Sequence, residues 1–132
     1  MTFSEYQPII QLLDRSIFFL IITTDMSGKY SFVNQTYQGA FHYIDEDFLG
    51  KPYEITMHPE DTKICAEVAA KCFAATGESF PATIRKHDGK GGYIVTQWEY
   101  RAILTPDGAP DGVFCIGYDI TQFRLAKAEI DQ

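Results

Sequence analysis

His58-Pro59-Glu60-Asp61-Thr62-Lys63-Ile64-Cys65-Ala66-Glu67-Val68-Ala69-Ala70-Lys71-Cys72-Phe73-Ala74-Ala75-Thr76-Gly77 has both ends of a helix written into it. Pro59 suits the first helical position because it lacks an N–H that would be orphaned there anyway. Glu60 and Asp61 place negative charge at the positive end of the helix dipole. Gly77 follows as the stop. The spacing predicts a helix over 59–76 with Ile64, Cys65, Val68, Ala69, Cys72 and Phe73 along one face, so both thiols point inward.

Upstream, residues 20–25 and 30–34 read as two short strands around the turn Asp25-Met26-Ser27-Gly28. Asn34 is placed to cap a helix beginning at Gln35. Short helical pieces are expected over 36–41 and 45–49, the second closed by Gly50. Residues 3–15 form an amphipathic helix, with Ser4 and Gln7 as a capping box and Pro8 in the first turn. That helix either covers a sheet face or pairs with a second copy of itself.

Downstream, three strands are predicted over 79–87, 92–104 and 112–120. Gly89, Gly91 and Gly92 punctuate the first turn, and Pro106-Asp107-Gly108 with Pro110 the second. Two strands, several helices and a three-strand meander make an α+β plan, with helices on one side of an antiparallel sheet. Strand alternation puts Phe80, Ala82 and Ile84 on the same side as Thr96, Trp98, Tyr100 and Ala102. Both faces of the last strand are apolar: Phe114, Ile116, Tyr118 and Ile120 on one, Val113, Cys115 and Gly117 on the other. Its outer side therefore needs a cover, either the N-terminal helix or the same strand of a partner chain. Residues 122–132 read as the start of a helical connector capped by Thr121, which divides the chain into 1–16, 17–121 and 122–132. The chain is then expected to be a piece of a larger protein.

Composition narrows the classes. A chain of 132 residues, 45% hydrophobic and 14% aromatic, suits one packed domain. Net charge is −7 and the 11 basic residues form no stripe, so no nucleic-acid binding is expected. The longest apolar run, residues 17–22, has strand length and falls short of the ~20 residues that cross a bilayer. No membrane contact by this segment and a cytoplasmic setting are expected. Cys65 and Cys72 would lie ~10 Å apart by helical rise, beyond disulfide reach, so structural thiols are the expectation.

In order and spacing these marks resemble those of a PAS domain, in the subtype whose last strand ends Asp-Ile-Thr. The resemblance runs over residues 17–121. It rests on Asp25-x-x-Gly28, Asn34, Leu49-Gly50-Lys51, His58-Pro59-Glu60-Asp61, Arg85-Lys86-x-Asp88-Gly89, Trp98 and Asp119-Ile120-Thr121. It implies a five-stranded antiparallel sheet flanked by short helices and one long helix. It also implies a role in sensing or protein pairing, upstream of a histidine kinase, a cyclic-dinucleotide enzyme or a transcription factor. One departure is His42, where the family usually has a glycine suited to a left-handed backbone.

The resemblance also sets cofactor expectations. Flavin adduct chemistry of the light-oxygen-voltage type needs a cysteine just before the long helix, and residues 51–57 contain none. His-ligated haem needs a histidine on that helix, and 59–76 have none. His58 belongs to a structural run, and Cys65 or Cys72 as thiolate ligands compete with the simpler reading of inert buried thiols.

The candidate pocket lining is Ile22, Thr24, Tyr37, Phe41, Val68, Cys72, Ile84, Thr96, Trp98, Tyr100, Cys115 and Gly117. Small residues at 115 and 117 would leave room for a flat apolar or aromatic ligand, against a closed core of aromatics. No catalytic constellation is visible, so no enzymatic activity is expected of the domain. A small lyase or isomerase would need an acid–base pair that the sequence does not offer. The remaining readings are a signal-relay module using Asp119 and Thr121 as its junction, acting as a homodimer with an output domain in the same parent chain, and a constitutive dimerisation module.

Overall fold

The computed structural model describes residues 1–121. Helix α1 (Phe3–Leu13) precedes strands β1 (Leu20–Thr24) and β2 (Tyr30–Val33). Helix α2 (Gln35–Phe41), two 3₁₀ turns (Tyr53–Thr56 and Pro59–Asp61) and helix α3 (Thr62–Ala74) follow. Strands β3 (Phe80–His87), β4 (Tyr93–Leu104) and β5 (Pro110–Asp119) complete the order. One five-stranded sheet results, in the order β2-β1-β5-β4-β3 with every pair antiparallel. This is the expected α+β architecture.

Alternation divides the sheet as the sequence predicted. Ile22, Ala82, Ile84, Trp98, Tyr100, Val113 and Cys115 face the main core, where Tyr37 and Phe41 of α2 and Cys65, Val68 and Cys72 of α3 meet them. On the other face Ile21, Ile103 and Phe114 pack beneath Tyr6 and Ile10 of α1. The Tyr6 and Phe114 rings stack at 4.3 Å, and the Tyr6 hydroxyl donates to the Ala102 carbonyl at 3.1 Å. Of the two covers considered for β5, α1 takes the part around Phe114. Farther along, Phe18 stacks on Tyr118 at 5.2 Å while Ile17 stays exposed.

Several local expectations change. The capping box of α1 is Thr2 with Glu5, which exchange a bond from the Thr2 N–H at 3.0 Å and one from the Glu5 N–H at 3.4 Å. Pro8 therefore lies inside the helix, at an exposed position. Residues 45–49 are not helical. The Asp45 and Asp47 carboxylates accept the N–H groups of Asp47 and Leu49, both at 3.0 Å, a local bonding that competes with helix. His42 ends α2 with right-handed backbone (φ −59°), so no left-handed residue is needed there. The long helix begins as a 3₁₀ turn at Pro59, and Ala75, not Gly77, supplies its C-cap. The expected connector at 122–132 lies outside the described residues.

Candidate functional site

Between the inner face of the sheet and α3 lies a cavity of ≈ 140 Å³. Strands β1 and β5 contribute Ile22, Thr24, Val113 and Cys115 to its wall, and α3 contributes Cys65, Ala66, Ala69 and Phe73. Tyr53 and Met57 close one side, while Asp25, Met26 and Gly28 of the β1–β2 turn form the rim. That turn is fixed by the Asp25 carboxylate, which accepts the N–H groups of Ser27 at 2.9 Å and Lys29 at 3.0 Å, with Gly28 at φ +74°. Two polar side chains reach the wall from deep in the sheet, Lys86 of β3 and Tyr100 of β4.

Lys86 is 2% exposed. It shares the inward face of β3 with Ile84 and Ala82, two and four residues back, so strand period forces it inward despite its charge. Its Nζ donates to Thr56 Oγ1 at 2.9 Å and to the Tyr37 hydroxyl at 3.2 Å. The Tyr30 hydroxyl bonds both, at 2.7 Å to Tyr37 and 2.8 Å to Thr56, which makes a four-membered buried polar cluster. Rings of Trp98, Tyr37 and Phe41 surround the ammonium at 5.4, 5.5 and 6.0 Å. Burial pushes Lys86 down to about 8. The same burial raises Tyr30 and Tyr37, so both remain neutral hydroxyls. Among the described residues no carboxylate pairs with Lys86.

Next to this cluster Asp61 does more than charge a helix end. Its carboxylate, almost fully buried, takes the Arg85 guanidinium at 2.7 and 3.1 Å and the Arg85 backbone N–H at 2.7 Å. These bonds from Arg85 hold the carboxyl below the usual range. With His58 N–H donating to the Arg85 carbonyl at 2.8 Å, the segment before α3 is laced to β3. The His58 ring is engaged as well, since Nδ1 accepts the Glu60 N–H at 3.1 Å.

At the far end of β5 the Asp119 carboxylate accepts the Thr121 N–H at 2.8 Å. Thr121 Oγ1 in turn accepts the Val95 N–H at 2.8 Å, and Ile120 N–H donates to the Val95 carbonyl at 2.9 Å. The exit of the last strand is thus tied to the start of β4.

Of the twelve residues proposed from sequence, Ile22, Thr24, Tyr100 and Cys115 stand in the cavity wall. Tyr37, Phe41, Val68, Cys72 and Ile84 are packed in the surrounding core. Thr96 donates to the Ile84 carbonyl and accepts Trp98 Nε1–H, both at 2.7 Å. Gly117 leaves space, and the Trp98 ring fills it. Sequence reasoning passed over Lys86, Met57 and Phe73. The period from Ala82 and Ile84 was the signal that could have found Lys86.

A family model described as the PAS fold matches residues 13–125. The chain belongs to the PAS family. A PAS domain from Colwellia psychrerythraea superposes with a TM-score of 0.73 at 19% identity, covering 89% of this chain and 98% of that one. A domain from Haloarcula marismortui, assigned provisionally to a light and redox sensing histidine kinase, gives 0.65 at 15% identity, over 86% and 99%. The N-terminal domain of a diguanylate cyclase with PAS/PAC sensor from Marinobacter aquaeolei gives 0.64 at 12%, over 80% and 98%. At such identities the likeness to these PAS structures is one of fold. No curated protein sequence matches.

Proposed function

We propose that this PAS domain is a sensory relay within a larger signalling protein of the cytoplasm, passing a change at its cavity to an output domain in the same chain. One observation carries the reading. Strand β5 holds Val113 and Cys115 in the cavity wall and ends in the Asp119–Thr121 junction, so the strand that touches an occupant also leads out of the sheet. An occupant that shifts β5 shifts where residues 122–132, the proposed connector, leave it. The relay needs two populated arrangements whose balance the input moves. Replacing Asp119 with Ala in the parent protein tests it, because the bond to Thr121 is exposed and its loss costs about 1 kcal/mol. Output is expected to change while the unfolding midpoint moves little. Unaltered output from a normally folded variant would count against the relay.

A second reading is a homodimer built on the outer face, favoured by the exposed Leu12 of α1 and the exposed Ile17 and Phe18 that follow it. Sedimentation at high micromolar concentration separates the two, since a strict monomer removes constitutive pairing and leaves the relay standing.

A further inference from the structure

The cavity wall holds two buried donors that the fold does not use up. An ammonium carries three N–H groups, and Lys86 spends two, on Thr56 and Tyr37. The Tyr100 hydroxyl, with its residue 6% exposed, has as its partner among the described residues only the Cys65 thiol at 3.4 Å. A thiol is a weak partner in either direction. The rest of the wall is largely apolar, with Ile22, Met57, Cys65, Ala69, Phe73 and Val113 prominent in it.

A buried cation without a counter-ion is costly, and an anion brought in by a ligand offsets that cost. We propose that the cavity binds a small monocarboxylic acid, its carboxylate on Lys86 and Tyr100 and its apolar body between the sheet and α3. This deepens the relay reading and rests on it, by naming the class of occupant.

Size and charge narrow the class further. An apolar cavity of about 150 Å³ holds a benzene ring, and the ≈ 140 Å³ here matches a single ring or a short branched chain. Two oxygens of one carboxylate answer two donors. A second carboxylate would find no further cation in the wall and would meet Asp25 at the rim. Dicarboxylates and amines are therefore disfavoured, the latter by Lys86 itself.

The test uses the 132-residue chain with benzoate and isovalerate as probes, and benzamide and isovaleramide as uncharged isosteres. Titration calorimetry reads affinity, and Trp98, the single tryptophan, reports from 5.4 Å beside Lys86. At least one acid is expected to bind about tenfold or more tightly than its amide, the margin of a charge-assisted hydrogen bond. Lys86→Met should abolish that preference, and Tyr100→Phe should reduce it several-fold with the fold intact. If Lys86→Met does not fold, the acid–amide comparison on the wild-type chain still decides.

Amides binding as well as acids would overturn the carboxylate assignment and leave the cavity as a sensing site for neutral molecules. Preference unchanged in folded Lys86→Met would overturn it too. If no acid binds, the proposal fails. If the amides also leave the chain untouched, and no metabolite accompanies it in native mass spectrometry, occupant-driven sensing fails with it.

Discussion

The Trp98 indole rests on the backbone of Gly117, its cross-strand partner: a Cβ built on Gly117 would lie 2.5 Å from the ring's Cε3 and 2.8 Å from the Gln97 carbonyl oxygen. The position demands the absence of a side chain, not an unusual backbone angle. Gly117→Ala should therefore destabilise by about 1–3 kcal/mol through overpacking. Chemical unfolding followed by tryptophan fluorescence checks this, and an unchanged midpoint with an unchanged emission maximum would contradict it.

Lys86 makes a pH-dependent prediction with a definite sign. Its folded value of about 8 lies below the ordinary 10.5, so below pH 8 the ammonium is present in both states and the burial penalty is felt in full. Between 8 and 10.5 the unfolded chain holds the extra proton, and the penalty is relieved as pH rises. Lys86→Met should accordingly be more stable than wild type at pH 7 by up to about 2 kcal/mol. That advantage should shrink by pH 10. Buried cysteines and tyrosines titrate in the same alkaline range, so the quantity to measure is the difference between the two proteins. A difference constant with pH would overturn the assignment.

Asp61 works in the opposite direction. Its carboxyl titrates below the ordinary 3.8 when folded, so its contribution is present above that value and lost as pH falls through the lower folded one. Asp61→Asn should cost about 2 kcal/mol at pH 7, the scale of hydrogen bonds to a charged group. The half-open setting of Arg85 keeps the figure below that of a fully buried pair. Urea titrations at pH 7 and pH 3 should show the full cost at the first and a smaller one at the second.

Tyr6 tests how α1 is held. Tyr6→Phe keeps the stack on Phe114 and loses the bond to Ala102, for about 1 kcal/mol. Tyr6→Ala also removes the ring, and about 3–5 kcal/mol is expected on the scale of aromatic truncations. Hydrogen exchange at Ile103 and Phe114 should accelerate in the second variant far more than in the first.

The five strands, the long helix and the division of faces were legible because each rests on period and on strong punctuation. Asn34 was legible as a cap, and its side chain does accept the Tyr37 N–H at 3.0 Å. What it also does was not: the same fully buried amide bonds the Ile21 N–H and the carbonyls of Leu13 and Phe19, partners 13 to 21 residues away. Lys86 was passed over because a charge suggests solvent, while the strand period that overrides it carries no label of its own. Residues 45–49 misled because aspartates that favour a helix start also form turns with their own backbone. The cavity was the least legible element, since it depends on which apolar side chains fail to meet, and no pattern in the chain encodes that.

The placement of β5 between β1 and β4 also bears on how the protein is made. Leu20 pairs with Gly117, a partner 97 positions later, so a nascent chain on the ribosome can form the β1–β2 and β3–β4 hairpins but has nothing with which to join them. Of the five strands, the keystone is translated last. Closure of so distant a pair is slow, and until it happens the hairpins present open edges that invite chaperones or aggregation. A premature stop codon between residues 105 and 110 should therefore yield two unjoined hairpins and an insoluble product, where a loss beyond residue 121 would leave the sheet whole.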